Sequence, residues 1–188
     1  MTPPLTVRLL EHPDRGALTA PEGVIVHAMG ELVDGVPAWE FLTRAGVAAA
    51  HRLIDPAGAI VQAVPDDRIA WHAGHSRHGT TSGLNRRTLG VELLVAGSHT
   101  LATLVRELRG RDCPFPPAQL RALAWCCRDW AARFPSIGYV LGHEHVSGPW
   151  VRDDPKSDPG PWLELGKLWV DVWGVLPMPP RPRQEGPS

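Results

Sequence analysis

The sequence predicts a single α/β domain, a mixed central β-sheet with flanking helices. Three observations predict it: short apolar runs bounded by turn residues, one long segment with helical periodicity, and polar residues placed directly after the apolar runs. At 188 residues, 43% hydrophobic and 21% charged, the chain is long enough for one domain with a real core. Its formal net charge of -1 gives no general attraction to nucleic acid or to an anionic membrane. Residues 1–20 read as an N-terminal extension, 21–172 as the folded domain, and 173–188 as a proline-rich, disordered tail.

Taken in order, the opening "MTPPLTVRLLEHPDRG" has charges and prolines where a secretory signal needs an apolar stretch. No apolar run is long enough to span a bilayer. The expectation is a chain that is cytoplasmic as synthesised, with no membrane insertion and a monomeric state. "VIV", Val24 to Val26, follows the turn-like "PEG" and reads as a buried strand that stops at His27. "HRLIDPAGAIVQAV", residues 51–64, alternates around an Asp-Pro-Ala-Gly turn and reads as a hairpin. "RTLGVELLVAG", residues 87–97, is an apolar strand interrupted by one acid, Glu92. "PAQLRALAWCCRDWAARF", Pro117 to Phe134, starts with proline and repeats apolar residues at helical spacing, so it is the one long helix. "IGYVL" is a last short strand, and it feeds into "GHEHVSGPWVRDDPKSDPGP", residues 142–161, too rich in proline and glycine for a regular element. Cys113 and the vicinal Cys126 and Cys127 form neither an even disulfide framework nor a C-x-x-C pair, and read as free thiols.

His27 and His143 each follow an apolar run, "VIVH" and "YVLGH". Two neutral imidazoles and one carboxylate make the ligand set of a catalytic zinc, with a fourth position left for water. The residues leave the third ligand open among His145, Asp153, Asp154 and Asp158. Asp153 and Asp154 sit beside Arg152 in a charge run that reads as a solvated loop tip. Asp158 precedes "PGP", which restrains the backbone around its carboxylate. Only two of the 19 basic residues are lysine, Lys156 and Lys167, so arginine is the default cation and the lysine in this loop is informative.

Five segments in order, "VIVH", "AAAHRLIDPAGAIVQAVPDDRIAWHAGHS", "LNRRTLGVELL", "FPPAQLRAL" and "GHEH" with "KSDPGP", resemble the zinc-dependent N-acetylmuramoyl-L-alanine amidase type 2 family. That group includes cytosolic anhydromuropeptide amidases, T7-type lysozymes and peptidoglycan recognition proteins, and the likeness runs from about Val24 to Trp169. It implies Zn²⁺ held by His27, His143 and Asp158. It also implies that Glu92 handles the proton of the attacking water and that Lys156 is the basic residue beside the metal. His51, Trp71, His72 and Asn85 fall on motif positions that line or support the substrate groove, and Trp71 reads equally well as core. Two departures stand out. His145 occupies a position where relatives commonly carry aspartate, and the 15-residue interval from His143 to Asp158 implies an insertion around "SGPWVRDD".

The implied reaction cleaves the amide between the muramoyl, or anhydromuramoyl, lactyl group and L-alanine of the stem peptide; the partner is peptidoglycan or a muropeptide. A zinc ion with an open position brings the pKa of its water to roughly 7. Two readings compete, a non-catalytic peptidoglycan-binding module and a peptidase acting within the stem. A recycling enzyme, a phage endolysin released through a holin and an antibacterial effector delivered by a secretion system all fit the residues. His75, His78 and His99 read as loop histidines without a task.

Overall fold

A computed structural model describes residues 5–9, 15–43, 49–99, 104–108, 112–151, 153, 155–165 and 167–168. The proposed tail 173–188 and Asp154 lie outside the described residues. Among the described residues there are nine strands: β1 (Leu5–Val7), β2 (Gly23–Val33), β3 (Val36–Pro37), β4 (Arg52–Ile54), β5 (Ile60–Gln62), β6 (Arg77–His78), β7 (Thr81–Ser82), β8 (Thr88–His99) and β9 (Tyr139–Gly142). The helices are α1 (Ala38–Thr43), α2 (Leu104–Leu108), α3 (Pro117–Arg133) and α4 (His143–Val146). The main sheet runs β1-β5-β4-β8-β2-β3, with β9 also paired to β2, while β6 and β7 form a separate ribbon. Parallel pairs β1/β5, β4/β8, β8/β2 and β2/β9 combine with antiparallel β4/β5 and β2/β3, so the sheet is mixed as the sequence predicts.

The hairpin expected at 51–64 is β4 and β5. Its turn is closed by the Asp55 side chain, which accepts from the Ala59 N–H at 2.8 Å, with Gly58 at φ 85° supplying the left-handed residue. The expected helix is α3, which buries Ala122, Leu123, Cys126, Cys127 and Trp130 against the sheet. Gln119, fully buried on the same helix, donates to the carbonyls of Ile54 (2.8 Å) and Leu94 (3.0 Å) and so ties α3 to two strands.

Three expectations are corrected. The first strand does not end at His27 but continues to Val33, because β8 pairs with it in parallel register along that whole length. Residues 143–146 close one helical turn, α4, where the sequence reading allowed no regular element. The segment 1–20, set apart as an extension, contributes edge strand β1 and the buried Leu18.

Strand alternation divides the sheet into two faces. Val24, Val26 and Ala28 of β2 and Leu89, Val91, Leu93 and Val95 of β8 belong to the buried cluster that includes α3. His27 and Glu92, direct neighbours in the β2/β8 register, face the other way. β9 pairs with β2 only as far as Val26↔Gly142, then turns into α4. That departure opens room beside His27 for His143.

Candidate metal centre

His27, His143 and Asp158 each place one ligand atom within 4.8 Å of the others, the one such grouping of three among the described residues. The Nδ1 atom of His143 lies 3.1 and 3.2 Å from the two carboxylate oxygens of Asp158, and His27 Nδ1 lies 3.4 Å from Oδ2. The ring centroids of the two histidines are 4.4 Å apart. Both histidines are buried. Asp158 reaches them from the loop after α4, whose own amide holds it: the Glu144 N–H donates to the Asp158 carbonyl at 3.0 Å.

Electrostatics suit a cation here. Burial, then the proximity of His143, lowers the His27 imidazole to about 4, with Asp158 opposing in part. Burial works to raise the Asp158 carboxyl, but the neighbouring His143, first among the opposing causes, holds it well below the usual carboxylate range. Glu92 is pushed well above its ordinary value, by burial first and the Asp158 charge second. Its Oε2 is buried without a hydrogen-bond partner. Two nitrogen donors, one carboxylate and an unsatisfied acid beside them fit a divalent metal with an open coordination position.

A family model described as N-acetylmuramoyl-L-alanine amidase matches residues 17–161. The chain belongs to this amidase family. It is 36% identical over 114 residues to the 1,6-anhydro-N-acetylmuramyl-L-alanine amidase AmpD of Salmonella typhimurium, 60% of this chain and 51% of that protein. It is 31% identical over 117 residues to the amidase AmiD of Escherichia coli, 61% of this chain and 39% of that one. The matched segment thus spans about half, or less, of these curated relatives. Among solved structures, an AmpD selenomethionine derivative superposes with TM-score 0.63 at 26% identity, covering 88% of this chain and 94% of that chain. AMPDH3 from Pseudomonas aeruginosa in complex with anhydromuramic pentapeptide gives 0.60 at 25%, covering 80% and 59%.

Within the amidase fold, the four residues expected to line or support the groove separate into two kinds. His51 is fully buried; it accepts from the Gly90 N–H at Nδ1 and donates to the Arg68 carbonyl at Nε2, both at 2.9 Å, so neither nitrogen is left for a ligand. His72 is buried against His27, and Asn85 Oδ1 accepts from the Ala73 N–H at 2.7 Å. These three support the site from behind. Trp71 differs, being 50% exposed with the Arg15 guanidinium 3.4 Å from its ring centroid, which corrects the core alternative.

Lys156 sits half-buried in the loop before Asp158, its backbone N–H donating to the Ser147 carbonyl at 2.9 Å. Asp153 is exposed, as a solvated tip requires. His145 lies outside the three-residue grouping and accepts from the Gly142 N–H at 3.1 Å, a local bond that closes the start of α4. His78 lies in β6 with its ring stacked 4.6 Å from Tyr139, and His99 ends β8 bonded to Glu107 at 2.8 Å, so neither is a loop residue.

Sequence reasoning passed over Glu144. Burial raises its carboxyl to about 8, its Oε2 is unpartnered, and the group lies so close over Gly142 that any Cβ there would meet it at 2.5 Å. The pairing of Gly142 with an acid two residues on was the available signal. An open cavity of about 570 Å³ lies elsewhere, between α3 and residues 162–168, and none of the candidate metal or catalytic residues lines it.

Proposed function

We propose that this chain is a zinc hydrolase that cleaves the amide between the lactyl group of N-acetylmuramic acid, or its anhydro form, and the L-alanine of a stem peptide. The convergence of His27, His143 and Asp158 beside the unpartnered Glu92 carries this reading. The relatives' names support the substrate class, since AmpD is a 1,6-anhydro-N-acetylmuramyl-L-alanine amidase and AMPDH3 is a complex with an anhydromuramic pentapeptide.

Zinc, when bound, acidifies a water molecule and polarises a carbonyl oxygen. The protein supplies the rest. Glu92, beside His27 in register and raised by burial, is the group placed to take a proton from the attacking water and pass it to the leaving amine of L-alanine. Lys156, two residues before Asp158, is assigned to the developing oxyanion, where a compact ammonium charge is most useful. Trp71, half exposed beside His72, is the groove residue available to stack on sugar or peptide.

Mass spectrometry of a digested anhydromuropeptide tests the bond. Release of the intact stem peptide is expected; muramic acid still carrying L-alanine would instead assign a peptidase. Lys156→Ala is expected to lower turnover at least tenfold with zinc stoichiometry retained. Wild-type zinc binding with no cleavage of either substrate would mark a binding module.

A further inference from the structure

The two candidate histidine ligands turn Nδ1 toward Asp158 and send Nε2 into the protein. Two consecutive residues receive those outer nitrogens. His27 Nε2 lies 3.0 Å from His72 Nδ1, and His143 Nε2 lies 3.4 Å from the Ala73 carbonyl oxygen.

Hydrogen positions follow from which partners are able only to accept. His72 Nε2 faces the Thr88 carbonyl at 3.2 Å and the Thr88 hydroxyl at 3.4 Å. That hydroxyl donates its own hydrogen to the Leu84 carbonyl at 2.8 Å, so toward the ring it too accepts. Nε2 of His72 therefore carries the hydrogen, and in a neutral ring Nδ1 is then a lone pair. It accepts from Nε2–H of His27, which leaves the His27 lone pair on Nδ1, facing the metal position. His143 is set differently before metal arrives, because its Nδ1 faces the Asp158 carboxylate at 3.1 and 3.2 Å and its Nε2 faces the Ala73 carbonyl at the longer 3.4 Å.

We propose that the dipeptide His72-Ala73 is the outer shell of the metal centre, His72 fixing His27 as the Nε2–H tautomer so that its Nδ1 lone pair is turned to the metal position before metal arrives, and the Ala73 carbonyl standing ready to accept from His143 Nε2–H when His143 Nδ1 binds metal. This rests on the metal reading given under Proposed function. His72 is then a positioning residue that acts through His27.

The dipeptide is itself held from two sides. A Cβ on Gly90 would lie 2.4 Å from His72 Cγ, so the imidazole lies directly on the glycine backbone. That backbone is anchored in turn by the Gly90 N–H donated to His51 Nδ1. On the other side Ala73 is held by its N–H, donated to Asn85 Oδ1 at 2.7 Å, and the Ser147 hydroxyl ties the same segment through the His75 carbonyl at 2.6 Å. The motif positions His51, His72, Asn85 and Gly90 thus have one common task. Outer-shell partners of this kind typically contribute about 10–100-fold to metal affinity.

The test combines nitrogen-15 NMR of the metal-free protein with zinc competition against a chromophoric chelator. In metal-free wild type, the His27 ring should appear as the Nε2–H tautomer, a measurement that needs no variant. His72→Phe keeps the bulk and removes the acceptor; it should weaken zinc binding at least tenfold with the melting cooperativity retained. Gly90→Ala, which alters no ligand but pushes the His72 ring from its position, should weaken it in the same direction. An Nδ1–H tautomer at His27, or zinc affinity in His72→Phe within twofold of wild type, overturns the proposal while leaving the metal reading intact. Failure of the wild type to bind zinc overturns both.

Discussion

The two faces of the central sheet each bury a cluster of ionisable groups, and the clusters are built on opposite plans. On the α3 face, Asp66 is met by two guanidinium groups, Arg52 and Arg133, each at 2.7 Å, and Arg52 also bonds Asp129. On the other face, Asp158 is met by two imidazoles and by the Ala28 N–H at 3.4 Å. The first cluster carries its own balancing cations. The second collects imidazoles around a carboxylate, with an unpartnered acid next door, and on the proposed reading takes its cation from solution. Burial alone therefore does not mark a functional site; the marker is burial in which the protein has not supplied the balancing charge.

The largest effect that sharpens this contrast is expected from Asp66→Ala. Removing the shared acid leaves Arg52, which is 1% exposed, with Asp129 as its remaining acid and should cost up to about 3–5 kcal/mol in denaturant unfolding with zinc stoichiometry unchanged. A variant that lost zinc instead would break the division between the faces. Next comes the metal: at a free zinc concentration of 100 times Kd, binding should add about 2.7 kcal/mol, and chelation or Asp158→Asn should remove that increment. In a thermal melt this is a shift of about 5–10 °C.

Acid should take the faces apart one at a time. His27 and His51 titrate at about 4 in the fold against an ordinary value of 6.5. Between those values the unfolded chain binds protons that the folded chain refuses, so the histidine contribution to stability falls as pH drops from 6.5 toward 4 and is flat above. Each histidine contributes a slope of about 1.4 kcal/mol per pH unit in that window. The Asp66 carboxyl is lowered from 3.8, with burial opposing and Arg52 prevailing, so its contribution is lost only below that value. A metal-free melting series from pH 8 to 3 checks the order. The smallest effect concerns Glu92, whose raised carboxyl makes it a liability without metal: the folded state retains a proton that the unfolded chain releases, so stability declines as pH rises past 4.5. Glu92→Gln should remove its share of that decline, with Glu144, raised to about 8, supplying the rest, and add about 1 kcal/mol at pH 7 to the metal-free protein alone.

Much of the frame was legible because strand and helix periodicities are local. α3 and the β4/β5 hairpin lie almost where spacing and turn chemistry put them. The length of β2 was not legible, since it is set by pairing with β8, a partner more than 60 residues away. The site divides in the same way. The family motifs point to His27, His143 and Asp158, which the fold brings together. Motif position did not distinguish Trp71, which faces solvent, from His51 and His72, which face inward, because that depends on which side of the sheet a loop crosses. Glu144 escaped notice for a related reason: only tertiary packing over Gly142 buries it.

The early departure of β9 from β2 has one more consequence. Pairing on that side of β2 stops at Val26 and resumes with β3 at Leu32, which leaves a short run of strand backbone without a neighbouring strand. An open strand edge is a template for association with other chains. Here α4 and the Asp158 loop cover the gap, and the Asp158 carboxylate accepts the Ala28 N–H that an adjoining strand would otherwise engage. The carboxylate proposed for the metal thus also occupies a donor that an open strand edge would present to another chain.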